Sequence, residues 1–211
     1  MNKEFFNENI EALETRYRAQ LINSLGGFKS IILIGTKGAN GQENVAIFNS
    51  FFHIGANPAL CGIIVRPDVS PRHTLQNILD TQFYTINHLH EGIYTQAHQT
   101  SARYPEMDSE FEKTGLSPLY KNDFHAPFVA ESHVQLACKL EQKIDLEING
   151  TTLLIGKIIY INIPEKVLLS DGFVDLEAAG TLTCSGLDSY HKTEKIARLS
   201  YAKTDKLPTK I

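Results

Sequence analysis

The sequence VQLACKLEQKIDLEI (residues 134–148) alternates apolar and polar side chains along its length. Since successive side chains of a strand point to opposite faces, this period of two predicts one long β-strand with a buried and a solvated face. The buried face comprises Val134, Leu136, Cys138, Leu140, Ile144, Leu146 and Ile148, interrupted by Gln142; the solvated face comprises Gln135, Lys139, Glu141, Lys143, Asp145 and Glu147. Asn149-Gly150 predicts a two-residue hairpin turn. The returning strand is predicted over 153–163 and ends at Pro164.

Long strands with short connections favour a closed antiparallel barrel, because closure removes exposed strand edges. The predicted fold class is therefore mainly β, a β-barrel with flanking helices. Further strands are predicted over residues 28–34, 44–54, 59–65 and 82–87, with a loop over 35–41 and a mixture of short helices and loops over 92–127.

Two helices are predicted outside the barrel strands. Residues 8–22 carry apolar side chains at helical spacing, and Gly26-Gly27 ends this element. A second helix begins at Ser70, which suits the N-cap, with Pro71 at the first helical position. We expect an N-terminal helical segment over 1–22 and a single domain over 23–211.

The bulk composition excludes several classes of protein. With 42% hydrophobic and 21% charged residues, the chain has enough apolar material for a folded core. The formal net charge of -4, without a basic block, argues against a nucleic-acid partner. No apolar run reaches the ~18 residues of a membrane span, and residues 1–8 lack an apolar signal core. We expect a cytoplasmic protein that does not enter a membrane.

The three cysteines indicate neither a disulfide framework nor a four-cysteine zinc site, because their number is odd and no C-x-x-C pair occurs. Cys138 is interpreted as a buried inert thiol. Cys184 could be a nucleophile only with a base that the sequence does not supply. His88, His90 and His98 lack the spacing of a complete zinc site, so no metal ligands are predicted.

Two stretches could bind a ligand. The first surrounds the start of the second helix and comprises Arg66, Ser70, Arg72, His73 and Thr74. Free backbone N–H groups, guanidinium groups and hydroxyls there suit a phosphate monoester. The alternative is an ordinary solvated N-cap. Residues 44–52 interleave amide and hydroxyl side chains with aromatics, which suits the faces and the polar edge of a flavin ring; a plain core strand is the alternative. The spacing of Gly35, Gly38 and Gly41 matches neither the G-x-G-x-x-G dinucleotide fingerprint nor the G-x-x-x-x-G-K-[ST] P-loop. These glycines therefore indicate a turn between strands.

Several segments, taken in order, resemble the flavin reductase-like, flavoredoxin-type FMN-binding split barrels. The resemblance covers about residues 20–202 and is carried by the segments 44–51, 57–60, 66–67, 72–78, 83–87, 98–102, 109–111, 127–129, 149–151 and 186–190. It implies a split barrel with Greek-key topology and a homodimer with FMN near the subunit interface. Ile47 and Asn49 depart from the Pro and Ser of many relatives, and the 92–127 region is longer than in many flavin reductases.

The resemblance also implies cofactor-binding residues. Asn49, Ser50 and Phe51 would contact the isoalloxazine ring, and Ser70, Arg72, His73 and Thr74 would hold the phosphate end. His98 and Ser101 belong to a loop that closes over the flavin. The complete predicted FMN site is Asn44, Asn49, Ser50, Phe51, Arg66, Ser70, Arg72, His73, Thr74, His98 and Ser101.

The predicted function is that of an FMN-dependent oxidoreductase of the flavin reductase-like type, drawing electrons from NAD(P)H. Since the cofactor carries the redox chemistry, no catalytic acid, base or nucleophile is predicted from the protein. One alternative is a flavoredoxin-like electron carrier that works through a protein partner. Another is a non-catalytic or haem-binding module, for which His53, His98 or His125 could ligate iron.

Overall fold

A computed structural model describes residues 1–67, 73–105 and 108–211. The helices are α1 (Asn7–Ala12), α2 (Thr15–Leu25), α3 (His73–Thr81), α4 (Tyr94–Gln99) and α5 (Glu110–Thr114), with a 3₁₀ turn at Glu165–Val167. The strands are β1 (Lys29–Ser30), β2 (Ile32–Lys37), β3 (Glu43–Phe48), β4 (Phe52–Ala56), β5 (Ala59–Val65), β6 (Phe83–His88), β7 (Pro118–Leu119), β8 (Phe128–Val129), β9 (Gln135–Leu146), β10 (Thr151–Asn162), β11 (Thr183–Ser185) and β12 (Ser189–His191).

Seven strands form one antiparallel sheet in the order β3-β2-β6-β9-β10-β5-β4. Strands β3 and β4 are its two ends, yet only residues 49–51 join them. Four residue steps span at most ~14 Å, whereas seven flat strands would separate the end strands by roughly 29 Å. The sheet must therefore curl until its ends approach each other. This link also corrects the prediction of one strand over 44–54, which breaks at Asn49.

The predicted loop over 35–41 is wrong in its first half. Gly35 pairs with Val45 and with Thr85, so it lies inside β2, with neighbours on both sides. The predicted strand 28–34 is in turn divided, because β1 pairs with β11 in a separate three-stranded sheet. A change of sheet between Ser30 and Ile32 cannot be read from a continuous apolar run.

The β9–β10 hairpin confirms the strongest sequence signal, with one correction. Leu146 pairs with Thr151, so the connection has four residues, 147–150, instead of the predicted two. Gly150 adopts φ +69° and its N–H donates to the Leu146 carbonyl oxygen over 2.9 Å. Glycine closes this longer turn because it reaches the left-handed region without steric cost.

The first four residues of β9, 135–138, are buried on both faces, which corrects the predicted solvated face there. Gln135 is only 1% exposed. Its amide nitrogen donates to the Val129 carbonyl oxygen over 2.7 Å, and its amide oxygen accepts from Lys121 Nζ over 2.7 Å and from Asn162 Nδ2 over 2.9 Å. Burial of this amide is tolerated because both of its ends are hydrogen-bonded.

The predicted helix over 8–22 is two helices. Leu13 leaves the helical conformation with ψ 144°. Glu14 then caps α2, since its side chain accepts from the Tyr17 N–H over 3.0 Å. The predicted start of the later helix, Ser70 with Pro71 and Arg72, lies outside the described residues. No helix in the described parts of the chain is long and apolar enough to cross a membrane.

Two apolar cores lie on opposite faces of β2. Ile32 and Ile34 join the core formed with Ile63, Ile78, Tyr84, Ile86, Cys138 and Leu154. Ile31 and Leu33 join the core formed with Val45, Leu89, Phe111, Val129, Leu182 and Cys184. Both faces of β2 are therefore covered by packed side chains. Strand β3, which pairs with β2, is held in position by this buried strand.

His88, at the end of β6, should make stability depend on pH. Burial lowers its pKa from about 6.5 to about 4, and its Nδ1 lies 3.3 Å from Thr181 Oγ1. Between these two pH values the unfolded chain binds a proton that the folded chain excludes, so the free energy of unfolding falls as pH decreases, by roughly 2–3 kcal/mol. Urea unfolding of the wild type and His88→Gln at pH 7 and pH 4.5 measures this, and the variant should lose less stability than the wild type. Equal losses would show that His88 is not the group responsible.

Candidate functional site

A cavity of about 1070 Å³ opens beside β3, the described start of α3, the segment after α4 and the turn before β12. Its apolar wall comprises Ile31, Ala46, Ile47, Phe48, Ile64, Val65, Leu75, Ala102, Pro105 and Leu187. Its polar side chains are Asn23, Lys29, Asn44, Asn49, Ser50, Arg66, His73, Thr74, His98, Thr100, Ser101, Arg103, Tyr104, Glu110, Asp188 and Tyr190. Such a volume with a mixed lining suits a large amphipathic ligand.

Eight of the predicted ligand residues line this cavity: Asn44, Asn49, Ser50, Arg66, His73, Thr74, His98 and Ser101. Residues distant in sequence, from β3 to α4, therefore meet at one place. Ser70 and Arg72 lie outside the described residues. Phe51 does not line the cavity; its ring packs against the core that contains Ile32, and its centroid lies 6.4 Å from that of His88.

The cavity gathers positive charge in a chain whose formal net charge is -4. Lys29, Arg66 and Arg103 line it together with His73 and His98, against the carboxyl groups of Glu110 and Asp188. Burial raises the pKa of the Glu110 carboxyl, an effect opposed by the charge on His73. With Lys29, Arg66 and Arg103 against these two carboxyl groups, the formal charge of the lining is positive, so the cavity favours an anion.

A buried polar network forms the floor near α3. Asn44 and Thr74 are both buried. In the amide orientation that satisfies both neighbours, Asn44 Nδ2 lies 3.2 Å from each carboxylate oxygen of Glu110, and its Oδ1 accepts from Thr74 Oγ1 over 2.9 Å. This network connects β3, α3 and α5, and it fixes the side chains that a ligand would meet at this end.

The link between the two end strands supplies the opposite wall. Asn49 Nδ2 donates to the Gly186 carbonyl oxygen over 3.1 Å, which orients its amide. Ser50 Oγ donates to the Ile64 carbonyl oxygen over 2.8 Å and accepts from the Ile64 N–H over 3.1 Å. The Ser50 hydroxyl is thus engaged with β5, so it holds the link in place and has little capacity left for a ligand.

A tyrosine and a histidine pair at the cavity mouth. His98 Nδ1 lies 2.7 Å from the Tyr190 hydroxyl oxygen. Burial raises the pKa of Tyr190 to about 12, so its hydroxyl stays neutral at physiological pH. Ser101 Oγ donates to the His98 carbonyl oxygen over 2.7 Å and closes the end of α4. This pairing leaves His98 Nε2 as the ring nitrogen available to a ligand.

Sequence reasoning missed several residues of this cavity: Asn23, Lys29, Arg103, Tyr104, Glu110, Asp188 and Tyr190. Glu110 and Tyr190 fall in segments that carry the family resemblance, which gave them no role. Lys29 follows the double glycine after α2 and reaches the cavity only because β1 leaves the main sheet, a change that the sequence does not signal.

Of the three histidines considered as haem ligands, His98 lines the cavity, whereas the other two lie elsewhere. His53 is exposed on β4, and His125 Nε2 lies 3.2 Å from the Lys37 carbonyl oxygen; neither lines the cavity. Across the described ranges, His, Cys, Asp and Glu side chains do not gather in a group of three that could hold a metal. All three cysteines are buried, and burial raises the pKa of the Cys184 thiol, which keeps it protonated.

A curled antiparallel sheet with a cationic, amphipathic cavity at its closing link agrees with the split-barrel fold. The family model described as "Flavin reductase like domain" matches residues 25–175. The chain belongs to this flavin reductase-like family, and this membership implies a flavin as cofactor and a general oxidoreductase role.

Solved structures agree with this assignment. A split-barrel protein of Shewanella frigidimarina NCIMB 400, provisionally assigned as a flavin reductase, is 52% identical, with a TM-score of 0.92 over 95% of this chain and 100% of that one. Component B of nitrilotriacetate monooxygenase from Bacillus cereus is 20% identical, with a TM-score of 0.82 over 94% and 100%. The flavoredoxin of Desulfovibrio vulgaris (Miyazaki F) is 20% identical, with a TM-score of 0.69 over 84% and 91%. The last two share the fold.

Proposed function

We propose that this protein binds FMN in the cavity beside β3 and passes electrons from NAD(P)H through it. The observation that carries the proposal is the arrangement of the lining. Cationic and hydroxyl side chains stand at the α3 end, and an oriented amide with apolar neighbours stands at the link between the end strands. A phosphorylated flavin has the same two ends.

The phosphate end of FMN is assigned to Arg66, His73 and Thr74. A guanidinium forms charge-assisted hydrogen bonds with phosphate oxygens. The Thr74 hydroxyl has one proton, which it donates to Asn44 Oδ1, so it can donate to phosphate only by releasing that bond. The predicted Ser70 and Arg72 remain part of the proposal on the sequence alone. Asn44 supports this end through its contacts with Thr74 and Glu110.

The ring end is assigned to Asn49 with the apolar wall of Ile47 and Phe48. Because Asn49 Nδ2 is already bonded to Gly186, its amide oxygen is left to accept from a ring N–H. Ser50 acts by holding the link that carries Asn49. His98 and Ser101 stand at the mouth, where they would cover the bound ring.

When bound, the flavin supplies hydride and electron transfer. The protein binds and orients the cofactor and excludes water, and positive charge in the cavity favours the anionic form of a reduced ring. The proposal therefore needs no catalytic acid, base or nucleophile from this chain. It includes a cytoplasmic homodimer and, given the net charge of -4, no nucleic-acid partner.

The spectrum of the purified protein tests the cofactor. We expect a yellow protein with flavin absorption bands, or a colourless one that takes up added FMN with quenched flavin fluorescence. A protein that stays colourless and leaves FMN fluorescence unchanged would overturn the proposal. A Soret band would instead favour the haem-binding alternative.

Steady-state oxidation of NADH and NADPH tests the enzymatic role. Free FMN or FAD serves as the acceptor, and turnover that depends on protein concentration is expected. A tightly held flavin that neither nicotinamide reduces would favour the flavoredoxin-like carrier. FMN binding and nicotinamide turnover are separate measurements, so failure of one does not obscure the other.

A further inference from the structure

Lys29 lies in the wall of the cavity, close to the residue assigned above to the polar edge of the flavin ring. It belongs to β1, where strand pairing sets it directly opposite Cys184 of β11. Burial raises the pKa of the Cys184 thiol, and the charge of Lys29 and a hydrogen bond with Asn49 both oppose that rise. Lys29 and Asn49 therefore lie beside the same buried thiol, and both line the cavity.

The turn after α2 holds the Lys29 side chain in place. Its Nζ donates to the Asn23 carbonyl oxygen over 3.2 Å. Asn23 belongs to the last turn of α2, where carbonyl groups lack partners within the helix. This contact uses one of the three N–H donors of the ammonium group, so two donors remain for a ligand.

The positive charge of Lys29 is not neutralised by a carboxylate at ion-pair distance. In the part of the chain that the structure describes, none of the ion pairs includes Lys29. Asp188 lines the same cavity, but it is exposed and accepts a hydrogen bond from Gln20 Nε2 over 3.3 Å. Because Lys29 is half-buried, water and salt screen its charge less than that of Asp188.

The chemistry of the flavin ring decides which redox state this charge favours. The oxidised ring is neutral, whereas the reduced ring can be an anion whose charge is shared by N1 and the neighbouring O2. The same O2 flanks the ring N3–H, which is the kind of donor that the Asn49 amide oxygen would accept. A cation beside Asn49 is therefore near the atoms that become negative, and charge near N1 is one of the means by which a protein tunes a flavin.

We propose that Lys29 stabilises the negative charge of the reduced flavin ring and thereby raises the reduction potential of the bound cofactor. This role rests on the proposed function and adds to it a residue that acts on one redox state. Arg66 provides the contrast, because the phosphate assigned to it is charged in both states, and its loss should weaken both states alike. Lys29 acts on a charge that only the reduced state carries.

The reduction potential of protein-bound FMN, measured by equilibration with redox dyes, tests this role. Lys29→Met removes the charge and keeps a long unbranched side chain. Because an opposite charge within ~4–6 Å commonly stabilises an ion tenfold or more, reduced FMN should bind about tenfold more weakly, while the Kd of oxidised FMN changes by less than about threefold. For a two-electron couple, a tenfold change in this ratio lowers the potential by about 30 mV.

Three further variants separate charge from shape. Lys29→Gln keeps a donor for the Asn23 carbonyl oxygen without the charge, and it should lower the potential as Lys29→Met does. Lys29→Arg keeps the charge and should stay near the wild-type potential. Lys157→Met is the matched control, since Lys157 is exposed on β10 and does not line the cavity; it should leave the potential unchanged.

An unchanged potential in Lys29→Met or Lys29→Gln, or equal weakening of oxidised and reduced FMN, would overturn the role of Lys29 and leave the proposed FMN site standing. A Lys29→Arg variant with the potential of Lys29→Met would also overturn it, because shape and not charge would then be responsible. Urea unfolding shows whether each variant is folded, and one folded uncharged variant is sufficient for the comparison. A wild type that binds no FMN would overturn both this role and the proposed function.

Discussion

Gly35→Ala is expected to lower the free energy of unfolding by about 3 kcal/mol, the upper part of the usual cost of overpacking a core. A Cβ at residue 35 would overlap the Pro127 carbonyl oxygen and lie 2.6 Å from Thr85 Oγ1. Thr85 Oγ1 itself donates to that carbonyl over 2.6 Å, so neither neighbour can retreat without loss of the bond. Urea unfolding measures the change, which corresponds to a drop in Tm of roughly 6–12 °C for a chain of this size.

Gly26→Ala is the matched control for this substitution. Gly26 has a right-handed conformation, with φ -64°, and a Cβ there would make only ordinary contacts, the nearest at 3.4 Å from the Asn23 carbonyl oxygen. Its stability should stay within about 0.5 kcal/mol of the wild type. If Gly35→Ala changed the free energy of unfolding as little as Gly26→Ala, Pro127 would not pack against β2 as described.

Arg66→Ala is expected to weaken FMN binding by about 1.5–3 kcal/mol, which is the value of a hydrogen bond to a charged group and equals roughly ten- to 150-fold in Kd. Arg66 lines the cavity beside His73 and Thr74, where the phosphate is assigned. Riboflavin, which lacks the phosphate, should bind the variant and the wild type equally well. Titration followed by flavin fluorescence measures both ligands.

Arg16→Ala controls for the loss of one positive charge, since Arg16 is exposed on α2 and does not line the cavity. It should leave both affinities unchanged. Equal weakening of FMN and riboflavin by Arg66→Ala would place the phosphate elsewhere and assign Arg66 to the ring or to the shape of the cavity.

The sequence predicted the elements whose signal is local and repeated. The alternation over 134–148 gave β9, and the apolar run after cis Asn57-Pro58 gave β5 within its observed bounds. The sequence-based prediction was wrong at residues whose conformation or burial is determined by tertiary packing. Gly35 reads as a turn residue, but it is required inside β2 because Pro127 lies against it. Gln135 reads as solvated, but three partners from distant segments satisfy it in the interior.

The sequence predicted those residues of the candidate site that lie close together along the chain and missed those that are isolated. The start of α3 brings Arg66, His73 and Thr74 close together. Asn44 lies in β3, and Asn49 directly follows that strand. Lys29 and Arg103 come from two segments without a distinguishing pattern, and Asp188 lies in a segment of the family resemblance that gave it no role. Only the curled sheet brings those segments to the same cavity, so no spacing rule within the sequence could have selected them.

The three residues that join β3 to β4 have an evolutionary consequence. Asn49 and Ser50 close the sheet and also line the cavity, so an insertion or deletion there would alter architecture and recognition together. Descendants of this fold can diversify what they accept by exchanging side chains that line the cavity, or by remodelling the region over 92–127, which also contributes to the lining and lies outside the link. New specificities should therefore arise more readily by elaboration of that region than by a change in the length of the link.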